Sequence, residues 1–441
     1  MKFKKYGFLI SILFISFYLI NTKELFEDYY QKAEAILSTM SRNEKIGQMF
    51  LSRYSLETVD DDIKQYSPAG FVLFADNLYH HTEKQLIKEL NERRKISKIP
   101  LVFGVDEEGG IVCQASIIFR KEKFPSPRES YLKGGIKEIL KIENEKILLL
   151  KKLNININFG PVADISLDPN DYIYPRTLGE NVSTTSDYIN DVVDSYNNAH
   201  FTCCLKHFPG YGNNINTHDD VSHDERPIEY LMNNDFVPFA RAISHNVPMI
   251  MVSHNIIVNI DNEYPSSLSK KIHNLLRNEY GFKGLIVTDS LAMGAIIKYT
   301  KDISPAVLAV LAGNDLIITF NLKEHIEEVI KAVENNQIDM SLIEKAAKRV
   351  IAWKLKYIYE YDIFHKNNIN KLLYVSIGIL TIGIIIIVVI ICYINNKKKK
   401  KKKTKKKKKK KKNLNILIEG NEKKYLTNKG RLIKAKFEQN D

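Results

Sequence analysis

Eight short apolar runs recur along the chain, at Ile46–Leu51, Gly70–Phe74, Leu101–Val105, Ile157–Asp164, Thr202–Lys206, Met249–Ser253, Leu285–Thr288 and Leu316–Thr319. Each has strand length, and most are separated by segments with helical signals. Ser41-x-x-Glu44 and Ser341-x-x-Glu344 have the form of capping boxes. Leu342, Ala346, Val350, Ile351, Leu355 and Ile358 repeat at helical spacing. Eight strands alternating with helices predict an α/β protein, a (β/α)8 TIM-like barrel over residues 25–362. An open doubly wound sheet is the alternative, but no G-x-G-x-x-G turn supports a nucleotide site in it.

The ends of the chain differ from this body. Of the formal charge of +13 over 441 residues, residues 395–441 alone carry 21 basic and 4 acidic side chains, so the rest of the chain sums to −4. A mildly acidic body argues against nucleic acid as a partner. Residues 1–24 combine Lys2, Lys4 and Lys5 with an apolar run, which reads as a signal peptide or signal anchor. Leu372–Ile394 is an apolar stretch of 23 residues. As a helix it would span about 34 Å, enough for a bilayer core of about 30 Å. The sequence therefore predicts a single C-terminal transmembrane helix at 372–394 and a lysine-rich cytoplasmic tail at 395–441. The protein would be single-pass, with its body luminal or extracellular and both span and tail engaging the membrane. Cys113, Cys203, Cys204 and Cys392 have no spacing suited to zinc or a disulfide framework and read as small apolar residues.

In a barrel of this kind, chemistry sits where strands give way to loops. The third run leads into Asp106-Glu107-Glu108-Gly109-Gly110 and the fourth ends at Asp164. The fifth leads into Lys206-His207, the sixth into His254-Asn255 and the seventh into Asp289-Ser290. One polar residue at a strand end is ordinarily a turn to solvent. Five strands delivering such residues to the same end favour a site.

LKHFPGYGNNINTH (Leu205–His218) and VTDSLAMGA (Val287–Ala295) give these residues a context. With GFVLFADN, VDEEGG, NFGPVADI, PRTLGEN and AGNDLIIT in order along the body, the sequence resembles the single-domain β-N-acetylglucosaminidase branch of glycoside hydrolase family 3. The resemblance implies Asp289 as the nucleophile and His218, on the loop after the fifth strand, as the proton donor. It assigns contacts with sugar hydroxyls to Asp106, Arg176, Lys206 and His207, and His254 is expected at the same mouth. Asp289 could also be a helix N-cap, His218 an exposed loop residue and Lys206-His207 partly barrel packing. Asp164 reads as structural, orienting a neighbouring loop.

Two departures stand out. The family usually has Asp two residues before the catalytic histidine, where this chain has Asn216 as the acid/base-orienting residue; asparagine accepts a hydrogen bond but brings no charge. Ile111–Gln114 reads IVCQ where a basic residue often meets the substrate. The expected function is a membrane-anchored exo-acting β-N-acetylglucosaminidase on oligosaccharides ending in β-linked N-acetylglucosamine. It would work by retention through a glycosyl-aspartate, with no metal and no cofactor. The alternatives are a catalytically weak or inactive glycan-binding barrel, or a phosphorolytic enzyme of the same family.

Overall fold

A computed structural model describes residues 25–300, 303–359, 393, 397–408, 424–426 and 432–434. The chain divides into two units, Met1–Asp362 and Ile363–Asp441. In the first, β1 (Phe50–Arg53), β2 (Gly70–Val72), β3 (Val102–Val105), β4 (Ile157–Asn158), β5 (Thr202–Phe208), β6 (Met249–Val252), β7 (Leu285–Thr288) and β8 (Ile317–Thr319) form one parallel sheet. Each strand pairs with the next, and β8 returns to β1 with Phe50 opposite Ile317 and Leu51 opposite Ile318. A single parallel bridge from Val287 to Leu316 joins β7 to the start of β8 and closes the ring. The barrel expected from the sequence is present.

Side chains alternate across the barrel wall with the period of two that a strand imposes. Leu51, Val72, Val102, Cys204, Met249, Met251, Leu285, Val287, Leu316 and Ile318 pack together inside the barrel. Their neighbours Phe71, Phe103, Cys203, Leu205, Ile250, Val252 and Ile286 pack outward against the helical layer. Cys203 and Cys204 thus face opposite sides, and both are free, buried thiols, as is Cys113. Interior residues at Gly104 and Phe159 fit only as a pair: a Cβ on Gly104 would lie 2.6 Å from the Phe159 ring. The end of the barrel away from the site is plugged by Phe26 and Trp353, both fully buried. Trp353 donates its indole N–H to Thr202 Oγ1 at 3.1 Å. Helix Glu27–Leu37, which precedes the first expected strand, packs on helix Met340–Lys354 at this end.

Several boundaries move. The first run is split: Ile46 lies in helix Arg42–Gly47, which carries the Ser41–Glu44 capping box, and the strand starts at Phe50. The second capping box is displaced, because Asp339 rather than Ser341 caps the last long helix, accepting from the Ser341 N–H at 2.8 Å. The helix thus starts earlier, and within its expected apolar stripe Ala346, Val350 and Ile351 are buried while Leu342 is exposed and Ile343 is buried in its place. The fourth run pairs as a ladder only at Ile157–Asn158. Beyond Gly160-Pro161 it follows β5 through isolated bonds, among them Ala163 N–H to the Lys206 carbonyl at 2.7 Å.

The membrane part of the expected fold is corrected. Among the described residues no helix is long and apolar enough to cross a membrane, and Leu372–Ile394, apart from Tyr393, lies outside them, as does the expected signal or anchor at 1–24. The segment Pro127–Lys152 is helical on either side of a break at Gly134 and Gly135, whose backbone is not helical, and charged residues interrupt its sequence throughout. The single-pass placement, with a luminal or extracellular body and a cytoplasmic tail, has no support from the described residues, and neither does a membrane partner. In the second unit, residues 397–408 are helical and exposed, and Lys424–Leu426 pairs antiparallel with Leu432–Lys434.

Candidate active site

The strand alternation that fills the barrel continues past the strand ends and aims polar groups at its mouth. Phe74, Asp106, Lys206, Asp289 and Phe320 continue the inward parity of Val72, Gly104, Cys204, Val287 and Ile318. They line a cavity of about 490 Å3 together with Glu108, Gln114, Tyr172, Arg176, His207 and His218. Six of the residues singled out from the sequence, Asp106, Arg176, Lys206, His207, His218 and Asp289, therefore share one cavity. Asn216 touches His218, and His254 stands one layer behind.

The floor is a charged network centred on Glu108, whose side chain is 1% exposed. Arg176 grips it with two bonds, Nε to Oε2 at 2.9 Å and NH2 to Oε1 at 2.7 Å. Lys206 Nζ reaches Glu108 Oε1 at 2.6 Å and Asp106 Oδ1 at 2.5 Å. Burial opposes charge on Glu108, but Arg176 and Lys206 outweigh it and hold the carboxyl well below the usual carboxylate range. Burial likewise opposes the Lys206 ammonium, and Asp106 and Glu108 hold it above the ordinary lysine range. Two cations and two carboxylates thus form one compensated group, with the Asp106 side chain the more exposed of the acids at 24%.

His207 is fixed from both sides. Arg176 NH2 lies 3.2 Å from Nε2, and arginine only donates, so Nε2 accepts and Nδ1–H donates to Asp164 Oδ2 at 2.7 Å. Asp164 also accepts the backbone N–H groups of His207 and Tyr211. It is a brace for the chain leaving β5, as expected. Behind the β3 turn, buried Lys146 donates to the Glu108 carbonyl at 2.7 Å and pairs with Glu143 at 2.6 Å. Glu107 points away from the cavity and accepts the N–H groups of Gln114, Ala115 and Ser116.

Asp289 follows β7 directly. Its backbone N–H donates to the Val252 carbonyl at 3.0 Å, and its Oδ1 accepts the Ser290 N–H at 2.7 Å. Burial would raise its pKa, but His254, His207, the Ser290 N–H and His218 outweigh burial and leave it below the ordinary aspartate value. His254, expected at the mouth, is fully buried: Nδ1 faces Ser267 Oγ at 2.7 Å and Nε2 donates to the Ser290 carbonyl at 2.9 Å. Burial lowers its pKa, and its two hydrogen bonds pin the turn that carries Asp289.

His218 reaches the cavity from the loop after β5. Tyr211 holds that loop through Thr217, accepting its N–H at 2.8 Å. Two further bonds dock the loop onto the segment after Asp289: Gly294 N–H to the His218 carbonyl at 3.0 Å, and Ala295 N–H to the Thr217 carbonyl at 3.2 Å. A Cβ at Gly294 would lie 2.5 Å from the His218 carbonyl oxygen, so glycine is what permits this approach. The His218 ring meets Asn216 Oδ1 through Nδ1 at 2.8 Å, with the Tyr172 hydroxyl 3.4 Å from the same nitrogen. His218 itself lines the cavity that holds Asp289.

The family model for the glycosyl hydrolase family 3 N-terminal domain matches residues 41–353, which spans the barrel and every site residue above. The chain belongs to glycosyl hydrolase family 3. It is accordingly a glycoside hydrolase, acting on O-glycosyl bonds. The chain is similar to the β-hexosaminidase LpqI of Mycobacterium tuberculosis, 28% identical over 266 residues, covering 58% of this chain and 68% of that protein. A β-hexosaminidase of Glaesserella parasuis is 28% identical over 290 residues, covering 64% and 82% respectively. Among solved family 3 structures, a β-N-acetylglucosaminidase from Paenibacillus superposes with a TM-score of 0.68 at 26% identity, covering 72% of this chain and 63% of that one.

Some cavity residues were not singled out from the sequence. Glu108 sits beside Glu107 and Asp106 in one acidic turn, and only the alternation of side chains tells which of the three face inward. Tyr172 lies in a long connection with no periodicity. The pair Phe74 and Phe320, 5.6 Å apart and edge to face, is stacked by Arg53 at 5.0 and 5.2 Å, an assembly of three strand ends with no local signature.

Proposed function

We propose that this glycoside hydrolase is an exo-acting β-N-acetylglucosaminidase that releases a terminal β-linked N-acetylglucosamine with retention of configuration. The observation that carries the reading is the meeting of Asp289 and His218 in one cavity over the Asp106–Lys206–Glu108–Arg176 floor. The β-hexosaminidase relatives support the choice of sugar.

In this reading the sugar lies with its hydroxyls on the charged floor, where Asp106 accepts and Lys206 and Arg176 donate. Asp289, ionised at neutral pH, attacks the anomeric carbon. The bond to the leaving oxygen breaks as His218 Nε2–H gives that oxygen its proton, and a glycosyl ester with Asp289 forms. His218 is then neutral with a free lone pair on Nε2. It takes a proton from water, whose oxygen attacks the anomeric carbon and expels the Asp289 carboxylate. The second displacement restores the starting configuration and returns the proton to His218.

The test is release of the chromophore from an aryl β-N-acetylglucosaminide by the full chain. Asp289→Asn is expected to lose nearly all of that activity, and an Asp289→Asn enzyme that turns over like the parent would remove the mechanism.

A further inference from the structure

We infer that Asp219 is a positioning residue for His218, acting through the amide of Asn216 to hold the imidazole in the form that proton transfer requires. This rests on His218 serving as the proton donor, as proposed above.

An asparagine beside a histidine is ambiguous, because it can present either an oxygen or an NH2 to the ring. Turned one way it accepts from Nδ1–H, favours the doubly protonated ring, and leaves Nε2 with its lone pair when the ring is neutral. Turned the other way it donates to Nδ1, opposes the doubly protonated ring and puts the neutral proton on Nε2. Only the first suits an acid that must later act as a base at Nε2.

Two contacts set the orientation at Asn216, each with one chemical solution. The backbone N–H of His218 can only donate, and it lies 3.0 Å from Oδ1, so the atom on that side is the oxygen. The Asp219 carboxylate only accepts when ionised, and its Oδ2 lies 2.7 Å from Nδ2, so the atom on the far side is the NH2. The same Oδ1 meets the ring Nδ1 at 2.8 Å. Asp219 also supplies, one bond further out, the negative charge that asparagine lacks, polarising the amide so that its oxygen is a better acceptor. The neighbouring Asp220 does not compete, since it pairs with Lys298 at 3.1 Å. The other groups around the imidazole are the Tyr172 hydroxyl, Asp289 across the cavity, and His207 and His254 beyond it.

The experiment is a mutant cycle in the full chain, read by kinetics across pH on the aryl β-N-acetylglucosaminide. Asp219→Ala is expected to lower kcat on the order of 3- to 10-fold with KM little changed, the loss of one hydrogen bond's worth of stabilisation. The alkaline limb of the pH–rate profile should move to lower pH. Asp219→Asn, whose amide oxygen can still accept from Asn216, is expected to lose less. In an Asn216→Ala background, adding Asp219→Ala should change kcat less than about 2-fold, because the connection is already cut. If the Asp219→Ala effect persists undiminished there, or is absent in the parent while Asp289→Asn abolishes turnover, the inference is overturned.

A second readout keeps this apart from the assignment of function. With 15N-histidine label, and His218→Asn to identify the signal, the neutral His218 ring should be the Nδ1–H tautomer in the parent. It should gain the Nε2–H form in Asp219→Ala. A parent ring already in the Nε2–H form overturns the inference whether or not the enzyme turns over, whereas absence of turnover with the expected tautomers would overturn the proposed function alone.

Discussion

Glu108 concentrates the electrostatic risk of the site, because two cations converge on a carboxylate that water does not reach. Glu108→Gln would leave Lys206 with Asp106 alone and Arg176 without its ionic partner. Breaking a buried pair from one side costs about 3–5 kcal/mol, so this variant should lower the melting temperature more than Asp106→Asn, whose partner Lys206 retains Glu108. Comparison of the two melts decides it. At this scale the sequence is informative wherever a residue belongs to a motif, as with Asp289 or Lys206. It misplaces His254, because a histidine at a strand end reads the same whether its ring faces the cavity or, as here, has both nitrogens taken by Ser267 and the Ser290 carbonyl. Glu108 was within reach of a simple parity count from Val102 through Gly104 and Asp106.

The element that matters most is the loop between β5 and Ile228, which brings His218 to the mouth. It is held to the β7 side by two backbone hydrogen bonds at Gly294 and Ala295, and a side chain at 294 would collide with its backbone. Gly294→Ala is therefore expected to lower kcat/KM on the order of 10- to 100-fold by displacing the imidazole, since misplacement by about 1 Å has consequences of that size. Global stability should change little, and limited proteolysis should cut the loop faster than in the parent. Strand runs were legible as elements because their apolar alternation is strong. Element ends were not: Asp339 rather than Ser341 takes the cap by accepting the Ser341 N–H, and Ile343 rather than Leu342 is the buried residue of the first turn. Helix Glu27–Leu37 packs on the last helix of the barrel, a partner far away in sequence that no local pattern announces.

For the whole molecule, eight strands could be counted from the sequence, but the closure of β8 on β1 is a long-range pairing that no local pattern encodes. Acid sensitivity is also a property of the whole. Burial lowers the pKa of His254, His273 and His325. Unfolding restores values of about 6.5, so the unfolded chain binds more protons below that pH and stability falls as the solution is acidified. Burial opposes charge on Glu108, Asp224 and Asp289, yet their cationic and hydrogen-bonding partners lower all three, adding a second loss as pH drops through the ordinary carboxylate range and below it. Asp235, pushed up to about 6 by burial against the pull of Arg226, gives the opposite slope between about 4 and 6. The melting temperature should accordingly fall from pH 7 towards pH 5, and His273→Gln should flatten that decline. A melting temperature that rises over this interval would show that Asp235 outweighs the three histidines.

The bonds from Gly294 and Ala295 to the loop that bears His218 have a consequence for how such enzymes can be rebuilt. His218 and Asp289 rest on a common footing although about seventy positions separate them. A loop transplanted into another barrel without the stretch that follows the aspartate would arrive without its mooring, so the two segments would have to be exchanged together.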